Sequence, residues 1–121
     1  MRRVVPAALA AVLLAPVLAH AAWEPTPIWL AQARCVHVHE APWEANTGNG
    51  YFGGFQFSAE TWKRMGGAHV AALAHPGDPA FPFAVPMQEQ LHRAWLLWRH
   101  DGGSWRSWGA VGVTCSRAAP R

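Results

Sequence analysis

The sequence predicts a small, mostly helical α+β domain, and three observations carry that prediction. Two stretches, Ile28 to Val38 and Met87 to Trp98, place apolar residues at helical spacing. Between them, Asn46 to Gly54 holds four glycines and two asparagines beside aromatic residues, the composition of turns that need positive φ. The third observation is size. Once an N-terminal leader is set aside, about 100 of the 121 residues remain, which suffices for one small domain.

Arg2 and Arg3 form a short positive start, Val4 to Leu18 an apolar run interrupted by Pro6 and Pro16, and Ala19-His20-Ala21 a small-x-small cleavage pattern. The expected organisation is a signal peptide over 1–21, a short lead over 22–28, one domain over 29–117 and a tail over 118–121. The apolar run is shorter than the ~20 residues a spanning helix needs, so an uncleaved anchor is the weaker alternative. No stable membrane insertion is expected after cleavage.

Thr26-Pro27 starts the first helix, with Thr26 as N-cap and Pro27 at the first helical position. Ile28, Ala31, Cys35 and Val38 make its expected inner stripe, leaving Gln32 and Arg34 nearer solvent. Pro42 ends it, so Glu40 sits in or just beyond the last turn. Asn46 to Phe57 reads as a short β-hairpin or irregular loop, with Tyr51, Phe52 and Phe55 to Phe57 as extended parts. Ser58 caps a second helix, Ala59 to Met65, stopped by Gly66-Gly67. His69 to Pro86 carries four prolines and reads as a loop, with a possible helical turn at Val70 to Ala74. Met87, Leu91, Ala94, Trp95 and Trp98 mark Pro86 to His100 as the main core helix, broken by Gly102-Gly103. Trp105 and Trp108 lead into the C-terminal segment.

Charge excludes one large class of partner. The formal charge of +3 includes Arg2 and Arg3, so the chain beyond the leader is near +1, and its only adjacent basic pair is Lys63-Arg64. No basic face emerges, and no nucleic-acid partner is expected. The two cysteines, Cys35 and Cys115, sit in a chain read as exported, where an even count favours a disulfide over two free buried thiols.

The segment CVHVHEAPWEANTGNGYFGGFQFSAETW, Cys35 to Trp62, narrows the reading. Its ordered features are Cys35, Glu40, Trp43, then Asn46-Thr47-Gly48-Asn49-Gly50-Tyr51-Phe52-Gly53-Gly54, Phe55-Gln56-Phe57, and Ser58 to Trp62. This pattern resembles the resuscitation-promoting factors and the wider transglycosylase-like proteins. The resemblance covers roughly Trp29 to Cys115, densely from Cys35 to Trp62 and thinly from His69 to Pro86. It implies a compact lysozyme-like domain over 29–117, with a hairpin or loop beside the catalytic helix. It also agrees with a tie between the first helix and the segment from Trp108 to Cys115.

The resemblance implies a catalytic glutamate directly after the cysteine, yet this chain has Val36-His37-Val38-His39 between Cys35 and Glu40. Four residues are about one helical turn, which returns Glu40 to nearly the same face. Glu40 is therefore the expected general acid, with Glu44 as the alternative and Glu60 assigned to the next helix. A carboxyl against apolar walls has its pKa raised and can stay protonated. The resemblance further implies a cleft lined by Asn49, Tyr51, Gln56, Thr61 and Trp62, with Trp43 walling Glu40 or touching sugar. Tyr51 and Trp62 are candidates to stack on sugar faces, or in the case of Trp62 to lie in the core.

Glycosidases usually pair two carboxylates, but Asn46 to Phe57 contains none. For a single acid, the resemblance to this family and to lytic transglycosylases implies two routes, attack by the muramoyl 6-hydroxyl or by water. His37 and His39 cluster with Glu40, but positions two apart diverge on a helix, so no metal and no cofactor are expected. The expected function is a secreted or wall-associated, monomeric peptidoglycan glycosidase acting on glycan strands. The alternatives are a non-catalytic wall-glycan binding domain with a degenerate cleft, and a metal-binding exported protein.

Overall fold

The computed structural model describes residues 23–67 and 85–121. The leader over 1–21 and the stretch from His69 to Ala84, with the turn expected at Val70 to Ala74, lie outside the described residues. Within them the chain forms helix α1 (Pro27–Glu40), strands β1 (Tyr51–Phe52) and β2 (Phe57–Ser58), helix α2 (Ala59–Arg64) and helix α3 (Met87–His100). A 3₁₀ turn (Arg106–Trp108) then leads into helix α4 (Gly109–Cys115). The architecture is the small, mostly helical α+β domain the sequence predicts.

Helix α1 starts where its cap chemistry places it. The Thr26 hydroxyl accepts from the Trp29 amide at 3.1 Å, and Pro27 supplies a first position that needs no N–H partner. The helix ends at Glu40 because Ala41 turns fully extended ahead of Pro42. Its buried face is Trp29, Ala33 and Val36, which corrects the expected stripe: Ile28 and Val38 are exposed. The large indole of Trp29 rotates the helix by about one position, because its ring stacks on Trp105 at a centroid distance of 5.5 Å. Gln32, expected near solvent, is half-buried and bridges the chain ends. Its carbonyl accepts from Trp105 Nε1 at 2.7 Å and its amide donates to the Ser116 carbonyl at 3.0 Å.

The Cys35–Cys115 disulfide ties α1 to α4 across 80 residues of sequence. Helix α4 was not expected from the sequence, since Gly109 and Gly112 lower helix propensity. The glycine at 112 has a packing reason: a Cβ there would lie 2.0 Å from the Trp105 carbonyl oxygen.

Strands β1 and β2 pair antiparallel, Tyr51 with Ser58 and Phe52 with Phe57. Phe55, expected in extended backbone, instead occupies the turn and points into the core with 1% exposure. Ser58 caps α2 by accepting from the Thr61 amide at 3.1 Å, and Gly66, at φ 75°, follows the helix end. Helix α3 buries Gln90, Ala94 and Leu97, while Met87 is exposed and Leu91, Trp95 and Trp98 are partly buried against the core. Trp23 packs edge-on to Trp29 and Trp95 and stacks on His92, closing the layer between α1 and α3.

Candidate active site

The C-terminal end of α1, the hairpin, α2 and the 3₁₀ turn surround a cleft of about 380 Å³. Glu40 reaches it because α1 stops there, leaving the carboxylate half-buried at the helix mouth. Burial pushes the Glu40 carboxyl above its ordinary value, and the charge of neighbouring His39 pulls it partly back. Among the described residues lining the cleft, Glu40 is the only carboxylate. Glu44 and Glu60 are exposed and lie outside it.

Tyr51, Gln56 and Thr61 line the cleft together with Glu40. Asn49 lies just outside and shapes the wall. Its amide donates to Gln56 Oε1 at 3.4 Å and its carbonyl accepts from the Tyr51 amide at 2.9 Å. Gln56 itself has φ 52°, in the left-handed region that few non-glycine residues adopt, and its side-chain amide donates to the Gly53 carbonyl at 3.0 Å. That strained backbone turns its side chain across the hairpin toward the cleft.

Two expected wall residues lie elsewhere. Trp62 is fully buried, edge-on to Phe57 at 5.2 Å, because it faces the core side of α2 while Thr61 faces the cleft. Its ring offers no face to a sugar in this structure. Trp43 does not line the cleft either. It stacks on His37 at 3.7 Å and packs against Phe55 at 5.6 Å, behind the hairpin. The apolar walls near Glu40 are instead Tyr51, Phe55, Phe57 and Trp108.

Trp108, Arg64 and Ser107 are the site residues sequence reasoning missed. Trp108 lines the cleft and its indole N–H donates to the Phe55 carbonyl at 2.9 Å, tying the C-terminal segment to the hairpin turn. Nothing local in the sequence connects it to Phe55. Arg64 lies three residues after Thr61, and that helical spacing alone could have placed it on the same face. Ser107 lines the cleft, and its hydroxyl donates to Asp101, which is 7% exposed and also faces Arg106 and His100.

Behind the cleft, Gln90 is the polar node. Fully buried, its carbonyl accepts from the Gly54 amide at 2.8 Å, and its amide donates to the carbonyls of Trp43 and Val85, both at 2.9 Å. A Cβ at Gly54 would come within 2.6 Å of both His37 and Trp43, so only glycine lets the hairpin turn approach this closely.

His39 does not face the cleft with a free ring. Its Nδ1 bonds the Cys35 carbonyl at 2.8 Å and lies 3.8 and 3.9 Å from the sulfurs of Cys35 and Cys115. The three side chains lie close enough to share an ion, but both sulfurs are committed to the disulfide and supply no thiolate ligand.

A transglycosylase-like domain family matches residues 25–111. The chain is 36% identical over 89 residues to resuscitation-promoting factor Rpf1 of Corynebacterium glutamicum, covering 74% of this chain and 44% of that protein. It is 43% identical over 103 residues to resuscitation-promoting factor RpfC of Mycobacterium tuberculosis, covering 84% of this chain and 63% of the relative. With resuscitation-promoting factor RpfB of Mycolicibacterium smegmatis it shares 38% over 70 residues, covering 58% of this chain and 19% of the relative. The match thus spans less than two thirds of the length of each of these relatives. No solved structure matches the chain.

Proposed function

The chain belongs to the resuscitation-promoting factor family through its transglycosylase-like domain, and on that premise we propose that it is an exported peptidoglycan glycosidase. Its bond is the β-1,4 linkage between MurNAc and GlcNAc, and Glu40 is its general acid. The observation that carries this reading is a lone carboxylate, raised by burial, at the mouth of an aromatic-walled cleft.

A protonated Glu40 donates its proton to the glycosidic oxygen as the C1–O bond breaks, which makes the departing sugar a neutral alcohol. The resulting carboxylate then takes the proton of whichever nucleophile reaches C1. With no second carboxylate among the described cleft residues, that nucleophile is the muramoyl 6-hydroxyl, giving a 1,6-anhydro product, or water. Tyr51 and Trp108 provide apolar faces for sugar rings, while Gln56 and Thr61 provide polar groups for hydroxyl and N-acetyl substituents. Export follows from the leader read over 1–21, and the domain acts as a monomer in this account.

A second reading is a non-catalytic wall-glycan binding domain. It is favoured by Val36, which stands next to Cys35 where the family resemblance implies the acid. Mass analysis of products from purified peptidoglycan separates the two. Fragments cut at the MurNAc–GlcNAc bond support the enzyme. Intact strands that nevertheless retain the protein support the binding domain.

A further inference from the structure

The cleft carries one positive charge that the reaction outlined above does not use. Arg64 is the last residue of α2, is exposed, and lines the same cleft as Glu40, Tyr51 and Gln56. Thr61 and Arg64 sit three apart on the helix, so both face the cleft while Lys63 between them does not. Arg64 is the only cation among the described residues that line this cleft, and it has no ion-pair partner among the described residues.

We propose that Arg64 is a specificity residue that takes a carboxylate of the substrate strand, so that this cleft prefers glycan carrying free carboxylates over neutral glycan. The proposal rests on the glycan-cleaving reading of the site. A guanidinium presents paired N–H donors that match a carboxylate, whereas hydroxyl and N-acetyl groups offer only single neutral acceptors. Among the described residues lining the cleft, the only carboxylate is Glu40, whose pKa burial raises. On a muramoyl sugar the carboxylate is either the free lactyl group, where no stem peptide is attached, or a carboxylate of the stem peptide, whose amide bond consumes the lactyl one.

The test is a binding measurement that does not require turnover. The mature wild type and Arg64→Gln are titrated with three probes: neutral GlcNAc oligomers, peptide-free glycan strands with lactyl carboxylates, and strands bearing stem peptides. Wild-type protein is expected to hold the carboxylate-bearing strands more tightly than the neutral oligomers. Arg64→Gln is expected to lose about three- to fivefold for the former and nothing for the latter, and Arg64→Glu to lose more. The wild-type advantage should shrink as salt rises, because the contact is solvent-exposed. A loss seen with peptide-free strands assigns the free lactyl carboxylate. A loss seen only with peptide-bearing strands assigns the stem peptide. Equal affinity of wild type and Arg64→Gln for every probe overturns the proposal, as does a wild type that shows no preference for carboxylate-bearing strands. Absence of strand cleavage by wild type would instead count against the glycosidase reading, and that outcome is read separately from binding.

Discussion

The two sides of Glu40 are held by different means. Behind it, α1 is bound to the C-terminal segment by a covalent bond, by the stacked rings of Trp29 and Trp105, and by the Gln32 bridge. In front of it, the hairpin is seated by neutral hydrogen bonds: Gln90 to Gly54, Trp108 to Phe55, and Asn49 to Tyr51. The scaffold side fixes where the acid's backbone lies. The cleft wall fixes what Glu40 faces, and of its polar contacts the Gly54–Gln90 bond is buried, so its loss leaves a buried amide unpaired. Stability and activity should therefore separate when each side is damaged in turn.

The largest stability effect is expected on the scaffold side. Replacing Cys35 and Cys115 by serine frees an 80-residue loop, which chain-entropy reasoning puts at about 4.5 kcal/mol. Urea titration should show a large drop in midpoint. Under conditions where the variant remains folded, cleavage should be nearly retained. Equal stability with and without the bond would remove the scaffold half of the comparison.

Gln90→Leu should cost less stability and more activity. It keeps most of the volume but strands the Gly54 amide and the carbonyls of Trp43 and Val85, a loss of about 2–4 kcal/mol. Because those groups seat the hairpin, activity of the folded fraction should fall further than in the cysteine variant. The reverse order of activity loss would show that the hairpin is held by something other than this node.

The smallest effect concerns pH. If Glu40 is the general acid it acts while protonated, and activity should be lost as pH rises through its raised pKa. The His39 charge lowers that pKa, so His39→Ala should raise it and carry the alkaline limb of kcat/KM to higher pH. An alkaline limb that stays in place, or moves down, would mean that another group sets it.

What was legible in the sequence was local. Thr26-Pro27 and Ser58 announce helix starts through side chains that bond amides only three residues away, and Pro42 announces the end that leaves Glu40 at the cleft. The cysteine pair was legible from count and compartment. The face of α1 was not, because Trp29 and its partner Trp105 are 76 residues apart and decide its rotation together. Gln90 reads as an ordinary polar helix residue until the Gly54 amide is placed against it. The family resemblance makes Trp62 a cleft candidate and Trp43 a wall for Glu40 or a sugar contact, yet the core and His37 take their rings. A Trp43→Ala change should therefore disturb the packing around Gly54 more than the proton affinity of Glu40.

Whether Glu40 supplies the proton is decided by the Glu40→Gln variant. Glutamine keeps the shape of the side chain and removes the transferable proton. Purified wild type and variant, matched for melting temperature, are given the same peptidoglycan, and soluble muropeptide release is measured over time. Release by Glu40→Gln should fall by about 10²-fold or more, with wall binding retained. Release at the wild-type rate by Glu40→Gln would show that another group supplies the proton.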